Sequence, residues 1–259
     1  MPAYGGYEPS VHRKRRRCWL LIPSFLIGPE TWRGVNEVMT LLGQEVVVPK
    51  PFRTTTKDED HIGPWLDAIL DALPKNTGQE FVVVGHSAAC PRLPMVADAV
   101  LARGYNVVSV ILVNGRFPAD DGMSTVEADK PLAAMLDDLV RPDDYLPPWY
   151  LWWGGMIRDM LPEEDRDRVF SEAMPVPRAL FDQPIPVPEL PPSVERAFLA
   201  TGDMYAMGYE RAMEEGWHVA RLDGEHLHIV VDPVTVAGTL LSLVGRPKMA
   251  TEPVPPKDP

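Results

Sequence analysis

Apolar runs and amphipathic stretches alternate along most of this chain. Six apolar runs rich in β-branched residues predict strands, at residues 17–23, 45–48, 80–84, 107–113, 195–201 and 217–222. Five stretches with apolar residues at helical spacing predict helices, at residues 29–42, 58–73, 93–101, 206–215 and 233–244. Because strands that alternate with helices pair in parallel, the pattern predicts an α/β fold with a doubly wound, mainly parallel sheet.

Residues 119–192 interrupt the alternation. They are rich in proline, tryptophan and acidic residues, and they predict only short helices, around 129–140, 155–171 and 175–181, with no strand. A segment of this length between two core strands predicts a helical cap over a binding site. The predicted core therefore comprises residues 17–118 and 193–246. A disordered basic arm is predicted at 1–16 and a flexible tail at 247–259.

A serine stands at the end of the third strand. The run Val82-Val83-Val84 leads into Gly85-His86-Ser87-Ala88-Ala89, and a helical pattern follows at once. Strand, sharp turn and helix form the context in which G-x-S-x-G is a nucleophile elbow, a turn that exposes the serine at the carboxyl end of the sheet. The last position of the motif is Ala89 in place of glycine, a mild departure. The pattern predicts Ser87 as a nucleophile.

A serine nucleophile needs a base and a group that orients the base. His226 follows the last predicted strand and is the expected base, although His228 lies in the same loop and spacing does not decide between them. Asp203 follows the preceding strand and is the expected acid, with Glu210 and the pair Asp120-Asp121 as alternatives. The order serine, aspartate, histidine is the one that accompanies G-x-S-x-G on a parallel sheet.

An acyl-transfer site also needs backbone N–H groups for the negative oxygen of the transition state. We expect one from Ala88 and the other from Phe25, in the loop after the first strand. Other residues predicted to face the substrate are Ser24, His86 and the cap tryptophans Trp149, Trp152 and Trp153. A cap of this composition predicts a largely apolar pocket for a small molecule.

The composition of the chain indicates which classes of partner and which cellular compartment to expect. The net charge of −12 argues against nucleic acid, since phosphate binding needs a basic surface. No run approaches the ~20 apolar residues of a membrane span, so no membrane is expected as a partner. The six histidines lack ligand spacing, so neither a metal nor another cofactor is expected. Cys18 and Cys90 are predicted to be free thiols, which indicates a reducing, cytoplasmic setting.

The motifs together carry a family resemblance. Pro23-Ser24, Gly28-Pro29 and Trp32, the Gly-His-Ser-Ala elbow and the late Gly-x-His-Leu-His resemble serine members of the α/β-hydrolase superfamily, and among these a bacterial esterase-like subgroup. The resemblance implies a Ser87–Asp203–His226 triad, an oxyanion hole at Phe25 and Ala88, and hydrolysis of an ester or thioester with a largely apolar acyl part, including substrates of secondary metabolism. Pro23-Ser24 replaces the His-Gly that is common in the oxyanion loop of this superfamily.

Two other functions fit the same residues. In an acyl-eliminating lyase, His226 would take a proton from carbon, and the product would gain a double bond instead of an oxygen from water. In a non-catalytic relative, the pocket would bind a small molecule without turnover, which the altered oxyanion loop and Ala89 would favour. Fold membership does not choose between these reactions. The sequence leaves the substrate and the oligomeric state open.

Overall fold

A computed structural model describes residues 17–50, 60–75 and 78–245 of the chain. The predicted basic arm at 1–16 and the predicted tail at 247–259 lie outside the described residues, as does the predicted helix start at Asp58. In the described part of the chain, no helix combines the length and apolar character needed to cross a membrane.

A six-stranded parallel sheet forms the centre of the fold. Its strands are β1 (Arg17–Ile22), β2 (Glu45–Val47), β3 (Glu80–His86), β4 (Asn106–Val113), β7 (Glu195–Thr201) and β8 (His218–Leu222). Their order across the sheet is β2-β1-β3-β4-β7-β8. The predicted doubly wound parallel sheet is confirmed. All six strands lie where apolar runs predict them, with shifts of at most two residues at their ends.

Helices cover both faces of the sheet. The main helices are α1 (Arg33–Leu41), α2 (Ile62–Asp71), α3 (Leu93–Ala102), α8 (Ala206–Glu214), α9 (His228–Val231) and α10 (Pro233–Leu243). Side chains alternate along each strand, so Trp19 and Leu21 of β1 pack with α1 and α10, while Leu20 and Ile22 pack in the core on the opposite face. This two-sided burial explains why the central strands are continuous apolar runs.

The segment 119–192 packs on the face that carries α2, α3 and α8. It contains the helices α4 (Thr125–Ala128), α5 (Lys130–Leu139), α6 (Met156–Asp159) and α7 (Glu163–Phe170). The helix predicted over 155–171 is divided in two because Pro162 restricts the residue before it and starts a new helix. Whether this segment acts as a lid stays a prediction.

The expectation that this segment contains no strand is wrong. Two short strands, β5 (Tyr145–Leu146) and β6 (Val176–Pro177), pair in an antiparallel sheet. The helix predicted over 175–181 is instead β6 followed by a 3₁₀ turn, Arg178–Phe181. The pairing is local, and strands of two residues are too short to show an alternating pattern in the sequence.

Candidate active site

The turn after β3 holds Ser87, which is 7% exposed, in a strained conformation. Ser87 has a φ of 56°, although the left-handed region is uncommon for residues other than glycine. A 3₁₀ turn, Ser87–Arg92, then leads directly into α3. Neighbouring backbone packs closely here, because a Cβ on Gly115 would lie 2.5 Å from the carbonyl oxygen of Ser87. Ala89 is fully buried in this packing, so the methyl group that replaces the motif's last glycine is accommodated.

The structure brings Ser87 and His226 together. The Oγ atom of Ser87 lies 3.0 Å from Nε2 of His226, and the histidine side chain is 1% exposed. His226 stands in the loop between β8 and α9, at the carboxyl end of the sheet. His228, which the sequence left as an alternative base, is instead the first residue of α9. The pair has the geometry of a nucleophile and its general base.

Three polar residues fix the loop that carries His226. The backbone carbonyl of His226 accepts hydrogen bonds from Nε2 of His86 at 3.1 Å and from Nδ2 of Asn114 at 3.2 Å. The hydroxyl of Thr201 donates to the carbonyl of Glu225 at 2.7 Å. Asn114 follows β4, and Thr201 is the last residue of β7. Their positions at the carboxyl ends of strands could have indicated from the sequence that they lie near the site.

Asp203 does not orient His226, contrary to the predicted triad. Its carboxylate pairs with the Arg221 guanidinium, and its side chain is 87% exposed. The Nδ1 atom of His226 is buried and has no hydrogen-bond partner among the described residues. The physical reason is that a carboxylate at this strand end retains its hydration and an ion pair on the surface, both of which it would lose beside His226.

The alternative acids do not reach His226 either. Glu210 lies exposed on α8, and Asp120 is exposed in the loop after β4. A carboxylate oxygen of Asp121 accepts a hydrogen bond from the backbone N–H of Val187 at 2.7 Å. Within the described ranges, the site therefore contains a serine–histidine dyad rather than a triad.

Burial sets the protonation state of the base. Desolvation, and secondly the neighbouring His86, hold the pKa of His226 well below its usual value. Desolvation also lowers the pKa of His86 to about 4, although its hydrogen bond to the His226 carbonyl acts in the opposite direction. Both imidazoles are therefore neutral at neutral pH. A neutral His226 can accept a proton from Ser87, but among the described residues no carboxylate contacts Nδ1 to stabilise an imidazolium.

A cavity of about 310 Å³ opens above the dyad. Its aromatic lining comprises Phe25, Trp149, Trp152, Trp153, Phe181 and Tyr205. The ring of Trp149 lies 5.5 Å from that of His226, and Trp152 is held by a hydrogen bond from its indole N–H to the carbonyl of Pro147 at 2.7 Å. Such a lining favours a small molecule with a large apolar part.

The two residues predicted for the oxyanion hole, Phe25 and Ala88, both line this cavity. Among the described residues, the backbone N–H of Phe25 has no acceptor. Ser24 was predicted to face the substrate but is fully buried, and its hydroxyl accepts a hydrogen bond from the N–H of Leu26 at 3.2 Å. This hydrogen bond stabilises the loop, and a single sequence could not distinguish such a contact from contact with the substrate.

His86 was predicted to contact the substrate, but the structure does not place it at the cavity. It is fully buried behind His226, with the two ring centroids 4.8 Å apart, and it does not line the cavity.

Tyr205 and Arg92 line the cavity, although the sequence analysis did not predict either as a site residue. Burial raises the pKa of Tyr205 to about 12, while Arg116 and a hydrogen bond with Ser87 act in the opposite direction. Tyr205 is therefore a neutral phenol beside Ser87.

Cys18 and Cys90 are both buried free thiols, as predicted. Burial raises the pKa of Cys18 to about 12, and burial also raises the pKa of Cys90. Neither thiol is therefore ionised at neutral pH. Within the described residues, no group of histidine, cysteine and acidic side chains is arranged to hold a metal ion.

Comparisons with known proteins give a fold but no close relative. No protein-family model matches the chain. A search of curated proteins also finds no match. Among solved structures, an extracellular α/β-hydrolase from a Paenibacillus species, described as sharing structural and functional homology with tobacco salicylic acid binding protein 2, is similar with a TM-score of 0.67 and 13% identity. The match covers 89% of this chain and 100% of that one.

Two further structures resemble the chain. A pyrethroid hydrolase from Sphingobium faniae matches with a TM-score of 0.66 and 16% identity, over 87% of this chain and 96% of that one. Tomato methylketone synthase I in complex with 2-tridecanone matches with a TM-score of 0.66 and 16% identity, over 88% of this chain and 97% of that one. The chain therefore has the α/β-hydrolase fold.

Proposed function

We propose that this protein is a serine hydrolase that cleaves an ester or thioester with a largely apolar acyl part. The observation that carries the proposal is the 3.0 Å contact between Ser87 Oγ and His226 Nε2 at the floor of an aromatic cavity. The strained φ of Ser87 supports it, because such conformations persist where the surrounding structure enforces them for function. A pyrethroid hydrolase and a protein that binds 2-tridecanone share the fold, which is consistent with an apolar substrate.

The proposed mechanism has two steps. In the first, Ser87 Oγ attacks the substrate carbonyl carbon while His226 Nε2 takes the hydroxyl proton, and the negative oxygen of the tetrahedral intermediate faces the N–H groups of Phe25 and Ala88. Collapse of the intermediate breaks the bond to the alcohol or thiol, which leaves with the proton from His226. In the second, His226 removes a proton from water, and the hydroxide attacks the acyl carbon. The bond between that carbon and Ser87 Oγ then breaks, His226 returns the proton to Oγ, and the acid is released.

The expected rate depends on Nδ1 of His226, which no acid contacts in the described part of the chain. In a serine protease, loss of the aspartate alone costs about 10⁴-fold in turnover, and loss of the serine costs about 10⁶-fold. A serine–histidine pair without the acid therefore contributes about 100-fold. We expect a slow enzyme whose turnover still depends on Ser87.

The first test is the mass of the intact protein after treatment with a fluorophosphonate. We expect one adduct on the native chain, none on Ser87→Ala, and one on the control Ser242→Ala, whose hydroxyl is exposed on α10 and bonds the Thr239 carbonyl. Turnover of 4-nitrophenyl esters should fall at least about 100-fold in Ser87→Ala alone. An adduct on folded Ser87→Ala, or unchanged turnover, would refute the nucleophile.

Oxygen labelling separates hydrolysis from elimination. In H₂¹⁸O, hydrolysis places one ¹⁸O in the released acid, whereas an elimination initiated by His226 releases a carboxylate without the label.

The unpartnered Nδ1 atom also favours a second candidate function, a binding protein without turnover, because a base whose charged form is not stabilised is a weak catalyst. Ligand binding in the cavity with neither labelling nor turnover would establish that function. The cytoplasmic setting also stays a proposal and rests on Cys18 and Cys90.

A further inference from the structure

An arginine is buried in the wall of the cavity that holds Ser87. Arg92 ends the 3₁₀ turn after the nucleophile, lines the cavity, and is 2% exposed. Its Nη1 atom donates to the carbonyl oxygen of Ala88 at 3.1 Å. Its guanidinium stands over the ring of Phe25, with Cζ 4.4 Å from the ring centroid. These contacts fix the guanidinium between the two residues expected to form the oxyanion hole.

Arg92 has no counter-charge within the described residues. Its Nη2 atom is buried and has no hydrogen-bond partner there, and no described carboxylate forms a salt bridge with the guanidinium. Arg116 also lines the cavity, but it is paired with Asp129. Burying a charged group without a partner costs several kcal/mol, and proteins rarely retain such a group without a use for it.

We propose that Arg92 binds a carboxylate of the substrate, so that the preferred substrate is an ester or thioester that carries a second, anionic carboxylate. The inference rests on the proposed function and narrows its substrate class. The bond from Nη1 to the residue after the nucleophile places the guanidinium close to the reacting atoms, so the carboxylate belongs a few bonds from the scissile carbonyl. A guanidinium over an aromatic ring, with an unpartnered N–H buried in the wall of a low-dielectric cavity, is a strong donor to a carboxylate that reaches it.

The charge of Arg92 persists at neutral pH. Burial lowers the pKa of its guanidinium to about 10, which still leaves it protonated there. The competing explanation is structural: Arg92 would only hold Phe25 and the Ala88 carbonyl in place. A structural role predicts equal losses for neutral and anionic substrates, whereas substrate binding predicts a loss that depends on substrate charge.

The test compares two 4-nitrophenyl esters of six-carbon acids, the hexanoate and the adipate monoester, which differ by a terminal carboxylate. We measure kcat/KM for both with the native chain, Arg92→Gln and Arg92→Lys. The control is Arg33→Gln, an exposed arginine on α1 that pairs with Glu37. We expect the native chain to prefer the adipate ester, and the adipate-to-hexanoate ratio to fall about 10- to 100-fold in Arg92→Gln. Lysine should restore part of the ratio, and the control should match the native chain.

An equal fall for both esters in folded Arg92→Gln, or no native preference for the adipate ester, would overturn the proposal. A second measurement needs no turnover: calorimetric titration of adipate into Ser87→Ala and into Ser87→Ala with Arg92→Gln. Binding by the first and at least tenfold weaker binding by the second supports the carboxylate site even if neither ester is hydrolysed. Equal binding, or no binding by the first, refutes the site. If Arg92→Gln does not fold, the Arg92→Lys ratio and the native preference decide.

Discussion

Replacing Asp203 with asparagine distinguishes a dyad from a triad. The change keeps the shape of the side chain and removes its charge. If Asp203 held His226, the loss would resemble that of a triad aspartate, about 10⁴-fold in turnover. In the structure its carboxylate faces solvent and pairs with Arg221, and Nδ1 of His226 has no partner among the described residues.

The geometry sets a small expected effect. The side chains of Asp203 and Arg221 are 87% and 43% exposed, and ion pairs this exposed contribute about 0–1 kcal/mol. We therefore expect Asp203→Asn to change kcat by less than about threefold and the free energy of unfolding by less than about 1 kcal/mol. The difference from the triad expectation is more than 10³-fold, so moderate assay error cannot hide it.

The assay is kcat for the best ester, together with the rate of fluorophosphonate labelling, which reports the nucleophile without substrate binding. Arg221→Gln is the matched control, since it breaks the same ion pair and leaves the carboxylate in place. A loss of 10³-fold or more in Asp203→Asn, with Arg221→Gln near native, would show that Asp203 reaches His226 in the working enzyme. Our assignment of a dyad would then be wrong.

Three further predictions concern stability. Because burial lowers the pKa of His86 to about 4 and that of His226 well below its usual value, protonation favours the unfolded chain as the pH falls below about 6.5. Urea unfolding should give a free energy about 2 kcal/mol lower at pH 5 than at pH 7 from His86 alone, and equal values would contradict this. Gly115→Ala should destabilise by about 1–3 kcal/mol, because its Cβ would overlap Cys90. Gly238→Ala, which meets open space on α10, should be neutral or stabilise by up to about 1 kcal/mol in the same denaturation assay.

The sheet could be predicted because its physical cause is visible in the sequence. Each central strand is buried on both faces, so Val82 and Val83 of β3 both had to be apolar, although they pack on opposite sides of the sheet. The positions of Ser87 and His226 followed from the same cause, since the carboxyl ends of parallel strands share one edge. The strands β5 and β6 were missed because a pair of two-residue strands is specified by packing, not by period.

The side-chain contacts within the site could not be predicted in the same way. Because Asp203 follows a strand, the sequence predicts which edge of the sheet it lies at. The direction of its side chain depends on Arg221, whose guanidinium binds the carboxylate at the surface. His86 looked like a pocket residue because it precedes the nucleophile. As the last residue of a strand whose neighbour faces the cavity, it points the other way, behind His226. Which neighbouring side chain each of these residues contacts depends on the three-dimensional packing, and the order of residues in one sequence does not specify it.

The dyad and Arg92 share one electrostatic feature: among the described residues, the lining of the cavity includes no aspartate or glutamate. His226 must become positive during the reaction without a carboxylate at Nδ1, and Arg92 adds a fixed positive charge to the same cavity. Both conditions disfavour the imidazolium. A substrate carboxylate on Arg92 would neutralise that charge and lower the cost of protonating His226, so an anionic substrate would aid the chemical step as well as binding. The neutral ester lacks this contribution, and this is why we expect the selectivity in kcat/KM rather than in affinity alone.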